Sequence, residues 1–533
     1  MKKILLAIFA LIGSTSNIKA QGFTSPALQW NIPIVTDNSD YRASWDYHQL
    51  IDINGDGKID LVDTENEATE SIYDVFMNGS QKYWKVYLGN GTSFSATAIQ
   101  WNIPINTDNS DYRMSWDYHT VIDINGDGKP DFVDTENQAT ESAYDVFMNG
   151  SQKYWRVYLN TGSGFSATPT QWNIPIVSDS SDYRLSWDYH TVIDMNGDGK
   201  PDFVDTENQA TESVYDVFMN GNQKYWKVYL NNGSGFDAVA IQWNIPISTD
   251  NSDYRLSYDY HTVIDMDGDG KPDFVDTENQ ATESVYDVFM NGNQKYWKVY
   301  LNTGAGFSAT ATQWNIPISS DNSDYRLSYD YHTVIDMDGD RKPDFVDTEN
   351  QATESVYDVF LNGSQKYWKV YLNNGSGFAA SATQWNIPIS SDNSDYRLAY
   401  DYHTVIDVNG DFKPDFLDTE NEATESVYDV FKNGNQKYWK VYLNNATNLG
   451  VSGYENLANH ITVYPNPVND AFKVKNAGTV TMINIYDIKG ALVKEISRDF
   501  DSSIDISYLP KGIYAVKVTN AEGQVVTQRL AKQ

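Results

Sequence analysis

Hydrophobic and polar positions alternate over short stretches along most of the chain, and the same stretches recur. One copy, between 242 and 301, contains Gln-Trp-Asn-Ile-Pro, Asp-Tyr-His-Thr-Val-Ile-Asp, Asp-Phe-Val-Asp, Tyr-Asp-Val-Phe-Met-Asn-Gly and Lys-Tyr-Trp-Lys-Val-Tyr-Leu. β-Branched and aromatic residues dominate these stretches, Asn-Gly and Gly-Asp-Gly separate them, and no window has a sustained helical period. The pattern predicts four or five short antiparallel strands in each copy.

The copies follow one another at a constant spacing. Gln-Trp-Asn-Ile-Pro-Ile begins at six positions 71 residues apart, which are Gln29, Gln100, Gln171, Gln242, Gln313 and Gln384. A single small sheet cannot bury both of its faces, so identical sheets must stack on one another. The pattern therefore predicts an all-β repeat architecture.

The two ends of the repeat region predict a closed ring. The segment 22–30 matches the last piece of the repeat, and the sixth copy stops at Asn445 without that piece. The first segment can therefore complete the last sheet, which is how a β-propeller closes. We predict a six-bladed β-propeller of 71-residue repeats. An open solenoid is the alternative, and it leaves this match unexplained.

The first twenty residues have the pattern of a signal peptide. Lys2 and Lys3 precede an apolar stretch at 4–12, and Ala20 ends a small-residue cleavage site. The apolar stretch is too short to span a bilayer. The chain has no cysteine, so a lipoprotein anchor and every thiolate site are excluded. We expect an exported protein without a lipid anchor or a transmembrane segment.

The C-terminal part differs in charge and pattern from the repeats. Residues 460–533 carry nine basic and seven acidic side chains, and short alternating runs there predict a small Ig-like β-sandwich. Three ordered motifs, at 463–468, 485–490 and 509–514, resemble the C-terminal sorting domain of the type IX (Por) secretion system. That resemblance implies a Bacteroidetes source, contact with the type IX machinery, and release or attachment at the cell surface. An unrelated Ig-like binding module is the alternative.

Composition narrows the range of partners. The chain has a net charge of −35, and the repeats alone carry about −40 because the C-terminal part is weakly basic. A surface this negative argues against nucleic acid and anionic membranes as partners. Aromatic residues make up 14%, which is enough for well-packed cores.

An acidic loop in each copy has the spacing of a calcium site. In the first copy, 52–60, oxygen-bearing side chains stand at positions 1, 3, 5 and 9, a backbone carbonyl is available at position 7, and glycine stands at position 6. This is the order of an EF-hand-type loop, here between two strands. Bound cations would also offset part of the acidic excess. A turn-forming, solvated acidic loop is the alternative. Asp63 stands at position 12, where the EF-hand has a bidentate glutamate, but its side chain is shorter, so we do not count it among the ligands.

The predicted calcium ligands are the residues at positions 1, 3, 5, 7 and 9 of the six loops, with position 7 acting through its carbonyl. They are Asp52, Asn54, Asp56, Lys58, Asp60, Asp123, Asn125, Asp127, Lys129, Asp131, Asp194, Asn196, Asp198, Lys200, Asp202, Asp265, Asp267, Asp269, Lys271, Asp273, Asp336, Asp338, Asp340, Lys342, Asp344, Asp407, Asn409, Asp411, Lys413 and Asp415.

The loops differ at position 6. Glycine occupies this position in the first four copies, but Arg341 and Phe412 occupy it in the fifth and sixth. We expect a positive φ there, which costs a side chain about 1 kcal/mol. Up to six calcium ions are therefore expected, bound more weakly in repeats five and six.

The acidic loop, the following Phe-Val-Asp and the later stretch at 157–165 resemble the FG-GAP/VCBS repeat family. That resemblance implies a calcium-bound β-propeller and says nothing about the ligand. These repeats are longer than is usual in the family because 64–83 and its equivalents add a hairpin. The expected organisation is a signal peptide at 1–20, an FG-GAP/VCBS-like propeller at 21–445, a linker at 446–459 and the sorting domain at 460–533.

Three features of each repeat are candidates for ligand binding. They are the Trp-Asp-Tyr-His segment before the loop, the acidic stretch at 63–70 and the hairpin tip at 78–82. Exposed aromatic rings beside polar groups are typical of sugar sites. The residues selected on this ground are Trp45, His48, Trp116, His119, Trp187 and His190. The alternative is that the aromatic side chains pack between the blades and that His48 satisfies a backbone group.

Together these features predict a secreted or cell-surface calcium-binding propeller that serves adhesion to an extracellular glycan or protein. No nucleophile elbow, phosphate loop or zinc motif is present, and the possible catalytic side chains recur in every repeat. We therefore expect no enzyme and assign no catalytic residue. A carbohydrate-active hydrolase or lyase on a propeller scaffold and a purely structural surface protein remain the alternatives.

Overall fold

The computed structural model describes two compact units, Met1–Thr447 and Asn448–Gln533. In the first unit the described residues are 21–34, 43, 48–64, 66, 75–105, 114, 119–135, 137, 146–176, 185, 190–206, 208, 217–247, 256, 261–277, 288–318, 327, 332–348, 350, 359–389, 398, 403–419 and 430–446. In the second unit they are 462–464, 468–475, 480–487, 492–497, 503–520 and 525–532. The predicted signal peptide and all but the first residue of the predicted linker lie outside these ranges.

All regular structure among the described residues is β-strand. Two strands precede the first complete repeat, β1 (Gln21–Gly22) and β2 (Leu28–Asn31). The first three blades contain β3 (His48–Ile51), β4 (Asp60–Asp63), β5 (Phe76–Asn78), β6 (Gln81–Tyr87), β7 (Ile99–Asn102), β8 (His119–Ile122), β9 (Asp131–Asp134), β10 (Phe147–Asn149), β11 (Gln152–Tyr158), β12 (Thr170–Asn173), β13 (His190–Ile193), β14 (Asp202–Asp205), β15 (Phe218–Asn220), β16 (Gln223–Tyr229) and β17 (Ile241–Asn244).

The remaining three blades repeat the same succession of strands. They contain β18 (His261–Ile264), β19 (Asp273–Asp276), β20 (Phe289–Asn291), β21 (Gln294–Tyr300), β22 (Thr312–Asn315), β23 (His332–Ile335), β24 (Asp344–Asp347), β25 (Phe360–Asn362), β26 (Gln365–Tyr371), β27 (Thr383–Asn386), β28 (His403–Ile406), β29 (Asp415–Asp418), β30 (Phe431–Asn433) and β31 (Gln436–Tyr442).

Each blade is a four-stranded antiparallel sheet with a short fifth strand. In the first blade the order is β3-β4-β6-β7, and β5 pairs with the same edge of β6 as β4 does. The hairpin β5–β6 is the predicted insertion. The calcium-type loop connects the first two strands of the blade. The predicted six-bladed β-propeller of 71-residue repeats is therefore confirmed, with five strands in each repeat.

The N-terminal segment completes the sixth blade, as the match between the two ends predicts. Strand β2 pairs with β31 in the register Trp30 to Trp439, which repeats the register Trp101 to Trp84 of the first blade. Phe23 lies edge-on to Trp368, at a ring distance of 5.9 Å, where other blades use a phenylalanine of their own turn. The ring is thus closed by non-covalent pairing of its two ends.

Tryptophan pairs form the centre of the cores between the blades. Two tryptophans face each other across the third and fourth strands of every blade, and all twelve are under 2% exposed. Phe165 of the second blade packs against Trp84 and Trp101 of the first, with ring distances of 5.9 and 6.0 Å. A buried aromatic side chain contributes roughly 1.5–3 kcal/mol. The cores between adjacent blades therefore hold the propeller together.

The second unit has two small sheets around one core. One sheet contains β32 (Thr462–Tyr464), β33 (Ala471–Lys475) and β36 (Ile504–Asp505), and the other contains β34 (Val480–Asp487), β35 (Leu492–Ile496), β37 (Gly512–Asn520) and β38 (Val525–Lys532). Phe472, Ile485 and Leu530 are completely buried in its core. Tyr514 donates a hydrogen bond of 2.7 Å to the Pro510 carbonyl within one of the three motifs. The predicted β-sandwich is confirmed.

Candidate metal centre and its surroundings

The acidic loop of each blade folds around its first aspartate. Asp52 Oδ1 accepts hydrogen bonds from the N–H groups of Gly55 and Asp56, at 2.8 and 3.0 Å, and Asp52 Oδ2 accepts one from Gly57 at 2.7 Å. Asn54 Oδ1 accepts a further bond from Asp56 N–H at 2.8 Å. The same bonds to the first aspartate recur in the other five loops. These bonds hold the carboxylate at position 1 against the backbone N–H groups of the turn in all six loops.

The aspartate at position 9 is buried at the base of the loop. Asp60 Oδ2 accepts a hydrogen bond from Ile53 N–H at 3.2 Å, and Asp60 Oδ1 accepts one from Gly89 N–H at 2.7 Å. Burial raises the pKa of this carboxyl from 3.8 to about 7. Burial raises the equivalent pKa values to about 7 for Asp131, Asp273 and Asp415, about 6 for Asp202 and about 8 for Asp344. A cation beside these carboxylates would favour their charged form.

The oxygen atoms of the loops fit a calcium ion. In loops four and five, three carboxylates each bring one oxygen within 4.8 Å of the others, and these are Asp265, Asp267 and Asp269 in loop four and Asp336, Asp338 and Asp340 in loop five. Oxygens bound to one calcium ion at 2.3–2.6 Å can lie up to about 5 Å apart. The donors at these positions are oxygen atoms only, which suits a hard cation.

Position 6 has the backbone conformation that the sequence predicts. The φ values are 83°, 85°, 83° and 85° at the four glycines and 68° at both Arg341 and Phe412. A Cβ placed on Gly57 would meet no atom within 4 Å. Space therefore tolerates a side chain at position 6, and the cost of Arg341 and Phe412 lies in the left-handed backbone.

The lysine at position 7 approaches the carboxylate at position 5. Lys129 Nζ lies 3.2 Å from Asp127 Oδ2, and Lys200 Nζ lies 3.0 Å from Asp198 Oδ2. Lys342 makes the same pair with Asp340 at 2.9 Å. The spacing of the loop predicted only a backbone role for this lysine. Its ammonium group also neutralises one acidic side chain of the loop.

The six loops touch one another in a closed circle. Gly55, at position 4 of the first loop, lies so close to the second loop that a Cβ would be 2.8 Å from the Gly128 carbonyl oxygen. Equivalent contacts join each loop to the next, and Gly410 of the sixth loop lies against the Gly57 carbonyl of the first. Position 4 was not among the predicted functional positions, although glycine is present there in all six copies while position 6 varies. The signal was therefore visible in the repeats.

In five of the six blades an asparagine also joins the blade to the loop of the preceding one. Asn231 Nδ2 donates hydrogen bonds to the carbonyls of Ile124, in the preceding loop, and Pro201, in its own blade, at 2.7 and 2.9 Å. The residues that make the same bonds are Asn160, Asn302, Asn373 and Asn444. The first blade has Gly89 at this position. The junction between blades six and one thus lacks this side-chain link.

The histidines selected as ligand-binding residues lie in the interior. His48, His119 and His190 are 2%, 1% and 1% exposed. His119 Nε2 is 3.7 Å from Asp134 Oδ1, and its ring packs on Phe132 at 5.5 Å. This burial favours the alternative in which they pack within the blades, and it speaks against contact with an outside ligand. Trp45, Trp116 and Trp187 lie outside the described residues.

The aspartate at position 12 faces a histidine on the neighbouring strand. Asp63 stands opposite His48 in the β3–β4 pairing and is 2% exposed. Of the acidic stretch at 63–70, only Asp63, Thr64 and Asn66 are among the described residues. Position 12 therefore belongs to the sheet.

Comparison with known families identifies the C-terminal unit. Residues 462–533 match Por_Secre_tail, the secretion system C-terminal sorting domain. This segment is a sorting domain. The match confirms the prediction from the three motifs and indicates type IX secretion to the cell surface or the medium. No helix among the described residues is long and apolar enough to cross a membrane.

The chain was also compared with curated sequences and solved structures. No curated protein matches the chain. A lectin of Agrocybe aegerita, described as recognising non-reducing terminal N-acetylglucosamine, is 18% identical over 77% of this chain and 82% of its own, with a TM-score of 0.37. The TcdB2–TccC3 structure is 11% identical over 96% of this chain and 20% of its own, with a TM-score of 0.36. These comparisons assign no function to the propeller.

Proposed function

We propose that this secreted protein is a calcium-binding propeller of the FG-GAP/VCBS type that serves as an adhesion module for an extracellular glycan or protein. The observation that carries the proposal is the closed circle of six acidic loops, in two of which three carboxylates converge. Calcium supplies positive charge to carboxylates that the fold holds close together. Residues at positions 1, 3, 5 and 9 would hold the ion, with the position 7 carbonyl completing the set.

The expected effect of the ion is on stability. A ligand that binds only the folded state stabilises it by about 2.7 kcal/mol when its concentration is 100 times Kd. Six sites acting on one ring make calcium a large contribution to the stability of the propeller. We therefore expect the propeller to be more stable outside the cell, where calcium is abundant, than it is without calcium.

The test combines metal analysis with melting. The purified full chain is dialysed against EDTA or against 1 mM calcium, and bound calcium is measured by elemental analysis together with the melting temperature of the propeller. We expect up to six ions per chain and a melting temperature at least about 10 °C higher with calcium. An unchanged melting temperature with no bound metal would refute calcium binding.

Binding, as opposed to catalysis, is supported by the similarity of the six repeats. Every described loop and hairpin recurs with nearly the same geometry, whereas catalysis usually needs one asymmetric group of residues. A glycan array read with and without chelator tests the adhesion module, and hits that require calcium are expected. Turnover of a polysaccharide by the full chain, abolished by substitutions in a single blade, would instead establish an enzyme.

A further inference from the structure

A row of hydrogen-bonded amide side chains lies on the outer part of each blade. In the first blade Asn78 Nδ2 donates to Gln100 Oε1 at 2.8 Å, and Gln100 Nε2 donates to Asn102 Oδ1 at 2.7 Å. All three side chains are exposed. We call this row the amide ladder. It joins the hairpin tip to the fourth strand and fixes the orientation of all three amides.

The amide ladder occurs in all six blades. The other copies are Asn149, Gln171 and Asn173; Asn220, Gln242 and Asn244; Asn291, Gln313 and Asn315; Asn362, Gln384 and Asn386; and Asn433, Gln29 and Asn31. The last copy is assembled from both ends of the chain. Ring closure therefore completes the sixth ladder as well as the sixth blade.

An aromatic ring lies beside the amides. Tyr83 stands opposite Asn102 in one strand pairing and opposite Phe76 in the other, so these side chains share one face of the sheet. The rings of Tyr83 and Phe76 are 5.7 Å apart, and Tyr83 is partly exposed. Aromatic rings beside amides provide a surface for stacking next to groups that bind hydroxyls.

The ladder is electrically neutral, although a lysine lies opposite it on the paired strand. Lys85 stands opposite Gln100, but its ammonium group lies 3.7 Å from the centre of the Phe76 ring. The equivalent Lys440 lies over Phe431 and 3.8 Å from buried Asp418. These cations are therefore directed to the ring and the inner carboxylate. The ladder presents uncharged donors and acceptors.

We propose that the amide ladder binds neutral polysaccharide. This rests on the proposed function and assigns it to residues. An exposed amide offers both N–H donors and a carbonyl acceptor, which matches a hydroxyl that is itself donor and acceptor. The strongly acidic propeller repels anionic polymers, and a cationic partner would prefer carboxylates to amides. An uncharged chain rich in hydroxyls fits the ladder.

The fifth ladder is partly covered by the N-terminus of the ring. Strand β1 pairs in parallel with β27 at Trp385 and Asn386, and both Gln384 and Asn386 are half-buried where their counterparts in other blades are exposed. Five ladders are therefore fully accessible. Several weak sites on one molecule can hold a polymer strongly through avidity, by 10²-fold or more over a single site.

The experiment measures polysaccharide binding by the full chain in calcium. The probes are the neutral polymers barley β-glucan, xylan, galactomannan and starch and the anionic polymers alginate and polygalacturonate, in affinity electrophoresis. The test variant replaces the central amide of the five accessible ladders by threonine, namely Q29T, Q100T, Q171T, Q242T and Q313T. Threonine favours strands and cannot bridge the two asparagines. We expect at least a tenfold loss of affinity for the neutral polymer that the unmodified chain binds.

The matched control carries M77T, M148T, M219T and M290T. These methionines lie on the same hairpins, point to the opposite face and are 49–51% exposed, so binding should be unchanged. A second variant carries glutamate at the same five central positions, in case the threonine variant fails to fold. Glutamate has the shape of glutamine but cannot donate a hydrogen bond to the asparagine, so we expect the same loss of affinity.

The outcomes separate the two proposals. Equal binding by the test variant and the unmodified chain would overturn the proposal that the ladder is the binding site. Glycan adhesion would then stand, with its site elsewhere on the propeller. Binding of anionic polymers alone overturns the ladder as a neutral site. If the unmodified chain binds no polymer in the panel and no glycan on the array, glycan adhesion itself is wrong. Loss in the test variant with retention in the control establishes the ladder.

Discussion

The loop region and the amide ladder of each blade show two different uses of repetition. Each loop touches the next through Gly55 or its counterpart, and its carboxylates at positions 1 and 9 are half-buried and buried, respectively. Each ladder is neutral and its hydrogen bonds join residues of one blade, and five of the six ladders are exposed. The six repeated loops therefore form one connected ring, whereas the six repeated ladders are separate copies. Substitutions in loops should change stability, and substitutions in ladders should change binding.

The largest expected effect is a pH dependence of the metal-free ring, because six carboxylates titrate together. Burial raises the pKa of Asp60 and its equivalents from 3.8 to between about 6 and about 8 in the folded state. The folded state then binds protons more tightly than the unfolded state. Stability from these groups is fully present below about pH 4 and is lost as the pH rises through their folded pKa values.

Melting in EDTA across pH 4 to 8 measures this effect. We expect the melting temperature of the propeller to fall over this range. Calcium should oppose the fall, because ions bind the deprotonated carboxylates. A melting temperature in EDTA that stays constant or rises from pH 5 to 8 would contradict the raised pKa values. The ladder contributes nothing to this titration, since amides do not ionise.

A single substitution in each region compares them directly. Asp202→Ala removes the acceptor of the buried Met195 and Asn231 N–H groups, which should lower the free energy of unfolding by roughly 2–5 kcal/mol. Gln242→Ala, in the ladder of the same blade, should change it by less than about 0.5 kcal/mol. Urea unfolding in EDTA measures both. Similar losses from the two substitutions would remove the distinction between loop and ladder.

The link between blades gives the next prediction. Asn231→Ala deletes the side-chain bonds to Ile124 and Pro201 and should cost about 1–3 kcal/mol of stability. The reverse substitution Gly89→Asn should also destabilise, because a Cβ there would clash with the Ile59 carbonyl. Urea unfolding is again the measurement. If Gly89→Asn stabilised the chain, the predicted clash with the Ile59 carbonyl would be wrong.

The smallest effect concerns position 6. Arg341→Gly and Phe412→Gly remove a side chain from φ near 68° and should each stabilise the loop by about 1 kcal/mol. This corresponds to a five- to tenfold gain in calcium affinity at the substituted loop. Calcium titration of each variant against the parent chain measures it, and Gly57→Ala is the opposite control. No gain in either variant would show that position 6 does not weaken loops five and six.

Much of the architecture follows from the repeated pattern. Strand positions, blade number and closure by the segment at 22–30 could be read from periodicity, because alternation and turn residues act locally. The loop side chains and the positive φ at Arg341 and Phe412 also followed from local spacing. The burial of His48 could not be predicted in this way. Its exposure depends on the packing of adjacent strands and blades, which a local pattern does not contain.

The sequence by itself determined the strands, the acidic loops, the repeat length and the sorting domain, since these depend on neighbouring residues and on short motifs. Tertiary structure decided which residues far apart in the chain meet. Gly55 lies against the second loop, Asn231 donates to the Ile124 carbonyl of the second loop, and Gln29 lies between two asparagines of the sixth blade. These contacts depend on the rotation between adjacent sheets, which is set by packing of the tryptophan cores. Side chains far apart in the chain become neighbours only once that packing closes the ring.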